Sequence, residues 1–496
     1  MRRVFLLLAV LALPATFGVV VGADRPAEAR GGASAQVRNA TTPLARRITA
    51  RLRKAKLPQG SYSIVVMTRG PGRLVRYTAN SATALVPASA AKVLTAAAVL
   101  DVVGPSHVFR TQISARGSLS RDGVLDGDLV LHGAGDPSIS GRFFDAKPYA
   151  VPAKLAQAVQ AAGIRRVNGA LVLDHGGFDR EYVHVDWSAA DKRRWYGGPV
   201  SGLGFNDGCI DVDVRGTSAG ARAQATLPAG HGPWRLKNSI STVNKARAAV
   251  GGRWIESGRT LELHGRVPPK GKAGFHLPVP DPALFLGGAM LTALSRANVR
   301  VDQGVRHARD GNDARGGTVV ATHEAPLPPA LGVMNVRSQN VYASTLFKLA
   351  GLAHEGEGSW ASGGRAVRAM LDRRRIPDGG TTDMRDGSGL SPKNKVSAGV
   401  LAEVLHRFDQ DPLRGPVMWD SLAVAGESGT LKKRLRSLKG RVRGKTGTLN
   451  DTPARALVGF VERPGKPGGD CVFAIILNSR RATHALVDDI VREIAR

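Results

Sequence analysis

Three short strings, Ser89-Ala-Ala-Lys92, Ser338-Gln-Asn340 and Lys445-Thr-Gly447, stand far apart in this chain of 496 residues, and each carries chemistry the other two lack. If they form one site, the fold must close a gap of 249 positions between Ser89 and Ser338. That is more chain than one catalytic domain needs between two active-site elements. Residues 109–322, strand-rich and glycine-rich, are therefore expected to leave a catalytic body made of 43–108 and 323–496 and return to it, folding as two smaller domains.

The chemistry begins with the first string. A serine hydroxyl is a poor nucleophile until a neighbouring base takes its proton, and position i+3 on a helix puts Lys92 on the face of Ser89. Pro87 precedes the serine and the apolar, alanine-rich run Val93 to Leu100 follows it, which suits a buried helix with Ser89 in its first turn. Lys92 must be neutral to act as a base, and burial together with a second cation, for which Lys445 is the candidate, would lower its pKa. Ser338 can pass a proton to a leaving amine and Asn340 can bond a substrate amide. Lys445-Thr446-Gly447-Thr448, followed by the apolar run Ala456 to Val461, fits an edge strand. Its backbone would pair with an extended substrate, Gly447 would allow close approach, and an ammonium beside two hydroxyls suits a carboxylate.

Singly, each string has a plainer reading. Most Ser-x-x-Lys sequences are solvated helix starts, Ser-x-Asn is weaker still, and Lys-Thr-Gly can mark a basic turn beside the cationic flank Lys432 to Arg443. The ordered set, each member in a fitting element, favours an acyl-transfer site in which a lysine activates a serine. Two decoys fail on context. Gly216-Thr-Ser-Ala-Gly220 matches a nucleophile elbow, but the alternating segment Ala221 to Leu227 and Pro228 after it indicate a hairpin turn. Gly444-Lys-Thr446 lacks the earlier glycine that a phosphate loop requires, because position 439 is lysine.

Strands are expected at Ser61 to Met67 and Leu74 to Tyr77, a second apolar pair within 454–478, and an amphipathic helix from His484 to Ile494, so the two ends of the catalytic body share one sheet flanked by helices. Pro326 to Pro329 reads as the return linker. Arg2 and Arg3 precede an apolar run from Val4 to Val21, and Val21-Gly-Ala23 is an acceptable cleavage site. Residues 1–23 are thus expected to be a cleaved signal peptide, with a membrane anchor as the competing reading, and 24–42 a disordered lead. Lys and Arg total 70 against 40 Asp and Glu, a net charge of +30. Nucleic acid is disfavoured, since no zinc-finger spacing, basic heptad or aromatic-rich basic patch occurs. Peripheral contact with an anionic membrane or wall polymer suits an exported protein, and a solvated surface is the bland alternative. Cys209 and Cys471 are read as two buried free thiols, and no metal or other cofactor is implied.

The chain resembles the class C low-molecular-mass penicillin-binding proteins, serine D-alanyl-D-alanine carboxypeptidases and endopeptidases. Beyond the three motifs the resemblance rests on Leu85 to Lys92, Gly127 to Pro137, Asp281 to Phe285, Asp386-Gly-Ser-Gly-Leu-Ser391 and Gly426-Glu-Ser-Gly-Thr-Leu431, and it runs from about Pro43 to the end. It implies an α/β, multidomain architecture with a penicillin-binding/β-lactamase-like transpeptidase domain, an antiparallel sheet flanked by helices. It further implies that Ser89 is acylated, that Lys92 is its base and that Ser338 and Asn340 form the second motif. Lys445, Thr446 and Thr448 would hold the terminal carboxylate, and the Ser89 and Thr448 N–H groups the oxyanion. Gln339 stands where relatives often carry aspartate, at a position that points away from the chemistry. Trp187-x-x-x-Asp191 before Gly198-Pro199 is similar to a segment whose aspartate meets the amino side chain of the stem peptide; a surface carboxylate among Lys192, Arg193 and Arg194 is the alternative. The implied substrates are peptidoglycan stem peptides in the periplasm or extracellular cell envelope, with β-lactams as covalent inhibitors. A β-lactamase-like hydrolase and a non-catalytic polyanion-binding envelope protein are the rival readings.

Overall fold

A computed structural model describes residues 42–496 except 142–144, 146, 229, 231 and 246. The expected signal peptide, and the lead segment up to residue 41, lie outside the described residues. Helix α1 (Pro43–Lys54) starts where the Thr42 hydroxyl accepts the Ala45 N–H at 3.1 Å, and it buries Leu44, Ala45, Ile48 and Leu52. Strands β1 (Tyr62–Thr68) and β2 (Val75–Ala79) form the expected antiparallel hairpin. Alternate side chains of β1 enter different cores: Ile64 and Val66 pack with α1, whereas Val65 and Met67 pack with α2 (Lys92–Val102) on the other face. Helix α2 is buried continuously from Lys92 to Leu100, the pattern of a helix enclosed by protein.

Beyond α2 the chain enters β3 (Val108–Leu119) and β4 (Val124–His132), and it returns along β5 (Thr318–Pro326), antiparallel to β3 with Pro326 opposite Val108. These three belong to a seven-stranded sheet, and two three-stranded sheets are built from strands between Cys209 and Pro278. One apolar cluster joins the three sheets to helix α3 (Pro282–Arg296), with Ile113, Leu171, Val212, Ile240, Leu263 and Phe285 as members. The region read from the sequence as two smaller domains thus has a shared core. Gly216 to Gly220 turns between antiparallel strands Cys209–Arg215 and Gln224–Thr226, so no nucleophile elbow forms. Pro326 to Pro329 is not a linker: Pro326 ends β5, and Pro328 and Pro329 sit in the first turn of a helix, Leu327–Val336, where no intrahelical donor is lost.

A six-stranded sheet that begins with β1 and β2 is completed late in the chain. Helix α4 (Asn340–Glu355) precedes β6 (Val442–Leu449), β7 (Ala454–Val461), β8 (Cys471–Asn478) and helix α5 (His484–Ala495). The sheet order is Ala423–Val424, β6, β7, β8, β1, β2, antiparallel throughout. Register from Tyr62 opposite Leu477 to Thr68 opposite Cys471 ties the start of the body to its end. The strand Ala423–Val424 pairs with Gly444 and Arg443 only, so among the described residues no strand covers the outer edge of β6 from Lys445 on. Cys209 and Cys471 are both buried and share no disulfide. No described helix is long and apolar enough to cross a membrane.

Phe285 is fully buried, with its ring 4.8 Å from Phe205 and 6.0 Å from Trp234. Phe285→Ala is expected to cost about 3–5 kcal/mol through lost burial and a residual cavity, measured as a fall in the denaturant midpoint.

Candidate active site

Ser89 sits in a tight turn, Ala88–Ala91, that leads directly into α2. Ala88 holds a left-handed backbone, φ 49°, unusual for a residue with a Cβ, and neighbours clamp it there. Gly389 approaches so closely that an added Cβ would lie 1.9 Å from the Ala88 carbonyl oxygen. Gly447 lies against the same turn, where a Cβ would come within 2.4 Å of the Pro87 oxygen. The close approach that Gly447 permits within the chain is to the Ser89 turn, a contact the sequence did not announce. Ser89 stays half-buried and lines a cleft of about 380 Å³ with Asp191, Tyr196, Ser338, Asn340 and Thr448.

Lys92 is fully buried, and its Nζ lies 3.0 Å from Ser89 Oγ, 2.7 Å from Asn340 Oδ1 and 2.6 Å from the Ser388 carbonyl oxygen. Asn340 is oriented by its other end, where Nδ2 donates to the Tyr196 carbonyl at 2.9 Å, so Oδ1 must face the lysine. A neutral amine spends its two N–H groups on those two carbonyl-type oxygens and turns its lone pair to the Ser89 hydroxyl. The ammonium formed after proton transfer finds three acceptors. Burial pushes Lys92 down to about 7, with the Asp386 carboxylate pulling it back up. Lys445, equally buried, is pushed well below its ordinary value by burial and by the charge of Lys92. Burial thus dominates at Lys92, where a second cation was expected to contribute; the repulsion between the two is mutual, so a proton on one disfavours a proton on the other.

The loop Asp386 to Ser391 delivers the Ser388 carbonyl. Asp386 Oδ1 accepts the Ser388 and Gly389 N–H groups and Asn394 Nδ2, while Oδ2 accepts the Ser391 N–H and Trp187 Nε1. Across the cleft, Lys445 Nζ lies 2.9 Å from Ser338 Oγ and 2.8 Å from the Thr446 carbonyl oxygen. Thr446 Oγ1 donates to Thr430 Oγ1, and Thr448 is exposed. Gln339 is buried with its side chain turned to Asp207 and the Val341 N–H, away from Lys92 and Lys445. Asp191 accepts from Ser188 Oγ at 2.7 Å and Tyr196 OH at 2.9 Å, and it faces the cleft instead of the neighbouring cations. All nine residues selected from sequence thus converge, eight of them around Ser89 and Lys445 and Asp191 farther along the cleft wall.

The model of the D-Ala-D-Ala carboxypeptidase 3 (S13) family matches residues 44–495, nearly all of the described chain. The chain belongs to this family. Among its relatives, a D-alanyl-D-alanine carboxypeptidase from an Actinomadura species is 32% identical over 455 residues, covering 88% of this chain and 81% of that protein. The carboxypeptidase DacB of Haemophilus influenzae is 24% identical over 406 residues, 79% of this chain and 81% of the relative. The crystal structure of penicillin-binding protein 4 (dacB) from H. influenzae superposes with a TM-score of 0.75 at 21% identity, over 90% of this chain and 99% of that one, which shows the shared fold.

Sequence reasoning on this S13 peptidase gave no role to Tyr196, Asp386, Ser388, Gly389 or Thr430. Four of the five lay inside the strings Asp386 to Ser391 and Gly426 to Leu431 that carried the family resemblance. Tyr196 gave no signal, because it acts through a backbone carbonyl that any residue possesses.

With lysine 13Cε labelling, one resonance is expected to titrate near pH 7 and to vanish in Lys92→Met. Asp386→Asn should move that titration to lower pH, since the lost carboxylate favoured the charged form.

Proposed function

We propose that Ser89 is the acylated nucleophile of this serine-type D-Ala-D-Ala carboxypeptidase, with Lys92 as its base. The observation that carries this reading is the amine of Lys92, buried, depressed to about 7 and 3.0 Å from the Ser89 hydroxyl. Lys92 takes the hydroxyl proton as the oxygen attacks the carbonyl between two D-alanines, and the Ser89 and Thr448 N–H groups hold the tetrahedral oxyanion. The C–N bond then breaks as Ser338 takes up the proton held by Lys92 and passes its own to the departing D-alanine amine, which leaves Lys92 neutral again and an ester on Ser89. Water attacks that ester, returns the hydroxyl hydrogen to Ser89 and frees the shortened peptide. Lys445, Thr446 and Thr448 hold the terminal carboxylate, Asn340 bonds the substrate amide, and the open edge of β6 pairs with the extended backbone. Gly447 acts indirectly, by letting β6 approach the Ser89 turn. Asp191 faces the amino side chain of the stem peptide's diamino acid.

The same chemistry opens β-lactams and traps them as esters. Cleavage of D-Ala-diamino acid cross-links, an endopeptidase activity, follows if the cleft also accepts a branched leaving group. We further infer export with removal of residues 1–23, an inserted region at 109–322, and peripheral contact with anionic membrane or wall polymers. Support for that contact comes from residues 42–56, with six cations and no acid, and 432–443, with seven and no acid. Of these, Arg47, Arg51 and Arg434 pair with carboxylates of α5, while Arg46, Arg53, Lys54, Lys432, Lys433 and Arg436 are exposed.

A fluorescent penicillin is expected to label the intact protein covalently and to leave Ser89→Ala unlabelled; equal labelling of both would sink the assignment. Acylation should rise with pH through about 7, because the reactive form of Lys92 is the neutral one, and Ser338→Ala should lower turnover about 10²–10⁴-fold through lost proton transfer. Mass analysis of muropeptides after incubation separates loss of one alanine from cutting of cross-links. Binding to purified cell walls should weaken with salt and in the triple variant Lys432→Gln, Lys433→Gln, Arg436→Gln; retention that ignores both changes would exclude the basic face.

A further inference from the structure

One ring outside the three motifs touches the carboxylate end of the cleft. His484, the first residue of α5, puts Nε2 3.4 Å from Thr448 Oγ1. The helix start is fixed by the Thr483 hydroxyl, which accepts the Leu486 N–H at 3.1 Å, so the ring stands on a rigid element. Its Nδ1 is buried and meets no hydrogen-bond partner among the described residues. Burial, with Arg434 from the preceding loop and Arg455 from β7, holds the imidazole below its usual range, against the opposing pull of Asp488 on α5. The ring is therefore neutral at neutral pH and carries one N–H.

That hydrogen has two possible seats. On Nδ1 it would orphan a buried N–H donor, whereas on Nε2 only a lone pair is left over at Nδ1, the lesser cost; the contact with Thr448 is made either way, but from Nε2 it is the ring that donates. The tautomer with hydrogen on Nε2 follows, and His484 is the donor to Thr448 Oγ1. This decides what Thr448 can do: a hydroxyl that accepts from the imidazole keeps its own O–H free for the cleft. The opposite arrangement would present an anion with oxygen lone pairs only. A protonated ring also donates from Nε2, so the orientation survives acidification.

We propose that His484 is a positioning residue for substrate recognition, turning the Thr448 hydroxyl into a fixed donor toward the terminal carboxylate. The inference rests on the reading of Thr448 as a carboxylate-holding residue. Nothing in this role moves a proton along the reaction path, so its loss belongs in KM and in discrimination, with kcat little changed.

The test compares a peptide ending in D-Ala-D-Ala as the free acid with the same peptide as its C-terminal amide. His484→Phe should lose about three- to tenfold in kcat/KM on the acid, the size of one oriented hydrogen bond, and little on the amide. His484→Gln, whose side-chain N–H can reach the same oxygen, should restore most of the loss. In a Thr448→Val background, His484→Phe should add nothing further. Equal losses on acid and amide, or full additivity with Thr448→Val, would overturn the proposal in favour of a structural role. If Thr448→Val keeps the wild-type preference for the acid, it is the carboxylate role of Thr448 that fails, and this inference falls with it. Should His484→Phe not fold, His484→Asn, too short to reach Thr448, takes its place in the same comparison.

Discussion

A lysine amine with no access to solvent, 3.0 Å from a half-buried serine hydroxyl, is the constraint on which the site depends. Moving its pKa from 10.5 to about 7 means that the folded protein forgoes roughly 5 kcal/mol at and below neutral pH relative to an exposed lysine. The surrounding structure is arranged to tolerate that loss. Helix α2 supplies an apolar sleeve of alanines, valines and leucines, and two oxygens that cannot donate, Asn340 Oδ1 and the Ser388 carbonyl, satisfy the amine. An alanine-rich helix is what makes the sleeve close: larger side chains around Ser89 would hold β6 and the Asp386 loop away.

Close packing carries the same logic to Ser89. Gly389 and Gly447 come from segments almost 60 residues apart, as Asp386 and Lys445 do, and both press on the turn that keeps Ala88 in a left-handed conformation. Strain at one residue is held in place by contacts from two others. The oxygen of Ser89 is thereby aimed at the cleft and at Lys92 at once.

Residues between 178 and 207 also pack against the elements that line the cleft. Phe178, Trp187 and Val200 join the core around α2, Trp187 donates to Asp386, the Tyr196 carbonyl fixes the Asn340 amide, and Asp207 takes the Gln339 side chain. A buried Lys348 ammonium, 2.8 Å from the Glu181 carbonyl and paired with Asp179, ties α4 to the same segment. The residues that orient Gln339 and Asn340 thus come from about 140 positions upstream, and hydrogen bonds and apolar contact together hold them there.

The sequence by itself determined the family, with its carboxypeptidase activity, and the local elements. A serine and a lysine three positions apart, an apolar run after them, alternating strands and a capped terminal helix are short-range patterns, and residue types and spacing report them directly. Tertiary structure alone decided what faces Lys92, how the Asn340 amide is turned, which partner Gly447 approaches and that Pro326 to Pro329 continues a strand into a helix. Those outcomes depend on backbone carbonyls and on contacts between segments hundreds of residues apart, which carry no signature in the identity of the residues involved.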